Sequence, residues 1–113
     1  MKEFLLLFRG RDTQPGASPE QIQAQTQKWM DWINGVANDG KYKGGHPLTD
    51  TGRTISGTKK VITDGPFMEG KEMLAGYIMV SVNDYDEAVA IANNCPILDG
   101  ETGSVEVREV RKM

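Results

Sequence analysis

His46 and Asp64 are the candidates for acid–base chemistry in this chain. His46 is the only histidine and lies in "GGHPL". Histidine titrates near neutral pH, so it suits a proton shuttle; the plainer reading is a loop or edge-strand residue making one hydrogen bond. Asp64 opens the corner "DGPF", and a charged cluster of Glu69, Lys71 and Glu72 follows. As chemistry, Asp64 is a general base or polar anchor at a cavity mouth, with Lys71 or Glu72 opposite; charge beside a concave apolar surface is where ligand sites gather. As structure, Pro66 stiffens the corner, Asp64 accepts backbone N–H bonds from two residues on, and Phe67 buries its ring. Asp64, Phe67, Lys71, Glu72 and Tyr77 are therefore the pocket candidates.

Other reactive residue types read as structural. Cys95 stands alone, so no intrachain disulfide is possible, and it suits a small apolar filler at a helix end. One Cys and one His exclude zinc-ligand spacing. Gly44-Gly45 opens no phosphate-binding helix, and Trp29 and Trp32 read as core or interface. No cofactor is expected.

The elements that position these residues follow from periodicity. "EFLLLFR" at 3–9 and "LAGYIMVSV" at 74–82 are short runs apolar on both faces, which predicts buried strands. "SPEQIQAQTQKWMDWINGVANDG" predicts a helix: Ser18 caps it, Pro19 takes the first position and Gln21 closes a capping box. Ile22, Trp29, Trp32, Ile33 and Val36 form its inner face. Short strands are expected near 42–47, 53–56 and 59–63. "NDYDEAVAIANNCP" predicts a second helix with Asp84 as cap, Glu87 closing a capping box, Ala88, Ile91, Ala92 and Cys95 inward, and Pro96 as its end. "GSVEVREV" alternates like an edge strand.

The order is that of an α+β, ferredoxin-like split βαβ domain, βαββαβ with an extra short hairpin, in which the first and third main strands are central. Residues 1–113 are expected to form a single domain. Two helices cover one sheet face. Leu5, Leu7, Tyr77 and Met79 point opposite to Phe4, Leu6, Phe8, Ile78 and Val80, so one apolar set is left over. A homodimer packed sheet to sheet encloses it; the alternative is that loop 41–58 folds back over it.

A net charge of −3 with scattered Lys and Arg argues against direct nucleic-acid binding. No run is long enough for a membrane span, and "MKEFLLLFRGRD" lacks the features of a signal peptide; the lone Cys95 fits a reducing compartment, so a cytoplasmic place is expected.

"DGPF" at 64–67, "KE" at 71–72, "GY" at 76–77, "EA" at 87–88, "CP" at 95–96 and the closing "VEVREV" together resemble the YCII-related family, DGPF-domain branch, over about 61–110. The resemblance implies a bacterial protein whose ferredoxin-like chains pair into a dimeric α/β barrel, with an activity largely unassigned. It also implies a His–Asp active site in some relatives, for which His46 and Asp64 are the candidates here. Some DGPF proteins resemble companions of sigma factors, which implies an association with transcription. Two functions stay open: binding or conversion of a small molecule in a cavity near the DGPF turn, or a regulatory protein-interaction module. Whether the chain is an enzyme stays open too.

Overall fold

A computed structural model of the chain describes residues 1–10, 16–66, 68–69 and 72–113. The strands are β1 (Lys2–Arg9), β2 (Tyr42–Pro47), β3 (Arg53–Ser56), β4 (Val61–Asp64), β5 (Met68–Glu69), β6 (Glu72–Val82) and β7 (Ser104–Glu109). The helices are α1 (Pro19–Asn38), α2 (Tyr85–Ala92) and a 3-10 turn, Pro96–Asp99.

The main sheet runs β2-β6-β1-β7, with short β5 added to β6. The two strands apolar on both faces, β1 and β6, are the central ones. Phe4, Leu6 and Phe8 align with Val80, Ile78 and Gly76, and Val82 continues this face. All are buried, together with Val36, Ala88, Ala92, Cys95 and Ile97. Trp29 and Trp32 of α1 meet Phe8 edge to face at 5.1 and 5.8 Å. Trp32 also donates its indole N–H to the Ile91 carbonyl at 3.1 Å, tying α1 to α2.

Capping works as expected at α1, where Ser18 and Gln21 form the reciprocal box. At α2 Asp84 caps the Glu87 N–H, but the Glu87 carboxylate does not turn back. It accepts instead from Asn83 Nδ2 at 3.4 Å and lies 3.9 Å from Lys41 Nζ. Pro96 does more than end this helix. Turn residues 93–94 follow α2, and Pro96 then opens the 3-10 turn, where its missing N–H costs nothing. Cys95 is thus buried beyond the helix rather than on its face. Ile22 is 47% exposed, outside the core its spacing suggests; the first turn of α1 lies beyond the Trp29–Phe8 contact.

The expected strand at 59–63 is shifted. Gly57, at φ +72°, and Lys60, at φ +54°, make residues 57–60 a turn, and the strand is 61–64. β6 begins at Glu72, two residues before its expected start. Residues 41–58 do not fold back over the sheet. Residues 42–47 extend it as an edge strand, while β3 pairs with β4 as a separate two-stranded sheet.

Candidate functional site

The sheet face opposite the helices carries the residues of interest. One cross-strand row reads His46, Tyr77, Leu7, Glu106; the next reads Gly44, Met79, Leu5, Arg108. Leu5, Leu7, Tyr77 and Met79 are half-buried and stand outside the core cluster on the helix side. The result is an apolar floor two strands wide.

His46 reaches this face through a bulge. Tyr42 aligns with Val80 and packs on the helix side. Four residues on, His46 would share that side in a regular strand. The register slips by one residue between Tyr42 and Gly44, and Gly44 sits at φ +121°. His46 therefore aligns with Tyr77, and the rings meet edge to face at 6.0 Å. A one-residue slip exchanges the faces of everything beyond it. β2 and β6 approach closely here: a Cβ on Gly45 would run into the Tyr77 carbonyl and Ile78.

The opposite edge of the floor is charged. Arg9 Nη1 lies 2.6 Å from Glu106 Oε1, and Arg108 Nη1 lies 3.1 Å from Glu106 Oε2. The two guanidiniums, Arg108 first and then Arg9, hold the Glu106 carboxyl below the ordinary glutamate range. Sequence reading missed this cluster. Its signal was the alternation of β7, which puts Glu106 and Arg108 on one face and Val107 on the other; register then aligns them with Leu7 and Leu5 on the open face.

Asp64 stands elsewhere. It ends β4 on the separate hairpin, nearly fully exposed, and its carboxylate lies 3.3 Å from Arg53 Nη1. No hydrogen bond or ion pair joins it to His46 among the described residues. The expected backbone bond from two residues on cannot form, because that residue is Pro66 and has no N–H. The corner is held instead by the Gly65 N–H on the Gly52 carbonyl at 2.7 Å and the Thr54 hydroxyl on the Gly65 carbonyl at 3.1 Å. A shallow recess of about 640 Å³ lies at this corner, lined by Asp50, Thr51, Gly52, Arg53, Asp64 and Gly65.

Phe67 and Lys71 lie outside the described residues. Glu72 opens β6, opposite Glu69. Cys95 is buried, and burial pushes its thiol up to about 12, which removes it as a nucleophile near neutral pH. No cluster of three metal-ligating side chains occurs among the described residues. No helix there is long and apolar enough to cross a membrane.

Comparison with known proteins follows the same lines. An uncharacterised protein of Rhizobium meliloti is 38% identical over 53 residues, which is 47% of this chain and 43% of that protein. The aligned region thus spans under half of that relative's length. A solved structure of 5-chloro-2-hydroxyhydroquinone dehydrochlorinase from Burkholderia phenoliruptrix, in complex with 2,5-dihydroxybenzoquinone, superposes with a TM-score of 0.53. It covers 96% of this chain and 93% of its own at 16% identity, a likeness of fold. The family profile described as YCII-related domain matches residues 3–113, and on that match the chain belongs to the YCII-related family.

Proposed function

We propose that this protein is a cytoplasmic homodimer that binds a small, planar, acidic ring compound between the open sheet faces of two copies. The observation that carries this reading is the apolar floor of Leu5, Leu7, Tyr77 and Met79, uncovered by either helix and bounded by chemistry on both sides. His46 stands at one edge and the Arg9–Glu106–Arg108 cluster at the other. The edge strands are about 14 Å apart, three strand spacings, so a single ring fits on the floor between them. Apolar walls with few convergent polar groups are the usual make-up of such sites. The fold neighbour, bound to a dihydroxybenzoquinone, supplies a probe of that class. In this reading Tyr77 and Leu7 carry the ring, the guanidiniums of Arg9 and Arg108 face its oxyanions, and His46 exchanges a proton with a ring hydroxyl. The alternative as a regulatory module rests on the resemblance to sigma-factor companions, and nothing in the geometry adds to it.

Thermal denaturation with 2,5-dihydroxybenzoquinone tests the reading, since a ligand of the native state raises Tm. A dose-dependent rise that Tyr77→Ala and His46→Ala each reduce is expected. A Tm that the quinone leaves unmoved at millimolar concentration would contradict binding of this class.

A further inference from the structure

The β3–β4 hairpin is an arm without a seat. It pairs with no strand of the main sheet, and every residue of β4 is exposed. Ile55 and Ile62 face each other across it, 65% and 60% exposed. Alternation puts Arg53 and Asp64 on the same face as this pair, and Thr54, Ser56, Val61 and Thr63 on the other. A lone two-stranded hairpin is marginal in water, and among the described residues nothing covers its isoleucine face. The radius of gyration, 15.5 Å, exceeds the roughly 13 Å of a compact chain of this length, consistent with a projecting arm.

Charge says what kind of surface suits it. Arg53, Lys59 and Lys60 against Asp64 alone give the arm +2, so the rest of the chain carries −5 for an overall −3. The opposite net charges draw a basic arm toward another copy of this acidic body, while the open face itself, where Arg9 and Arg108 flank Glu106, offers apolar area rather than negative charge. That body also offers an apolar floor in need of cover, Leu5, Leu7, Tyr77 and Met79. Dimensions agree: four paired residues make the arm about 13 Å long, against about 14 Å across the sheet.

We infer that the arm of each subunit lies against the open sheet face of a second copy. Ile55 and Ile62 of the partner subunit then help to roof the site, and its Arg53–Asp64 pair stands at the rim. One two-fold operation covers both surfaces on both chains. The inference rests on the pairing proposed above and adds that the site is incomplete without the partner's arm.

Cross-linking tests it without any ligand. Ile62→Cys labels selectively with a benzophenone maleimide, because Cys95 is buried. Mixed ¹⁵N-labelled and unlabelled chains then separate links between copies from links within one. Links joining labelled to unlabelled chains at residues 3–9 or 74–82 are expected. Links confined to one chain, or none, in a protein that light scattering shows to be dimeric would overturn the arm and spare the pairing. A stable monomer would overturn both. The double variant Ile55→Asp/Ile62→Asp changes only exposed hairpin residues. It is expected to keep its far-ultraviolet circular dichroism and to raise the dimer Kd at least tenfold; wild-type association would overturn the arm.

Discussion

His46 and Tyr77 stand ring edge to ring face, 6.0 Å apart, on neighbouring strands of the open sheet face. The contact exists because of two glycines. Gly44 takes the bulge that turns the histidine over, and Gly45 lets β2 come close enough for the rings to meet. A polar ring is thereby placed beside an apolar floor, where it can meet a ligand lying on Tyr77.

Gly45→Ala is expected to destabilise the fold by about 1–3 kcal/mol, because the added methyl group meets backbone that cannot step aside. Gly35→Ala, in α1 with open space around it, is expected to stabilise by about 0.5–1 kcal/mol. Urea denaturation of the two variants checks the opposite signs.

Cys95 makes stability fall in alkali. Its thiol is raised from 9.0 to about 12, chiefly by burial, with Asp99 adding to the rise against a backbone hydrogen bond at Ile97. Between those values the unfolded chain loses a proton that the folded chain keeps. The stability this proton provides is full below pH 9 and declines above it, by up to about 1.4 kcal/mol per pH unit. Cys95→Ala is expected to flatten that part of the curve. A thiol reagent at pH 8 is expected to react only on unfolding.

Met79 aligns with Leu5 on the open face. If a second copy covers this face, Met79→Glu buries an unpaired carboxylate at a cost of about 3 kcal/mol or more, over a hundredfold in Kd. Sedimentation equilibrium reads this directly, with Gln23→Glu on exposed α1 as the control. Equal association of both variants would show that the floor is not the interface.

Asp64 presents a different case. Its partner is Arg53 and both side chains are largely exposed, so the pair contributes at most about 1 kcal/mol. Asp64→Asn is expected to alter stability by less than about 0.5 kcal/mol in thermal or urea unfolding. A larger loss would mean that the carboxylate holds the corner.

The sheet order was legible because the middle of each strand, Phe4–Phe8 in β1 and Leu74–Val80 in β6, carries no polar or charged side chain other than Tyr77 at either odd or even positions, a pattern that central strands of a covered sheet require. The leftover set, Leu5, Leu7, Tyr77 and Met79, followed from the same alternation. The face of His46 was not legible. Alternation from Tyr42 puts it with the core, and "KGGHP" does not say at which residue the register slips. Pro66 shows the reverse: its missing N–H was plain in the sequence and already forbade the Asx-turn expected of Asp64. The Arg9–Glu106 pair joins residues 97 apart in the chain, so it appears only once register is known.

A ring held as proposed would lie on the open sheet face, over Leu5, Leu7 and Met79. Methyl-resolved NMR during titration with 2,5-dihydroxybenzoquinone reads that placement. Shifts are predicted at Leu5, Leu7 and Met79, with Leu6 and Val80 on the helix side following weakly or not at all. A shift at the Thr51 methyl group, in the recess at the corner, with the three floor residues unmoved, would contradict it.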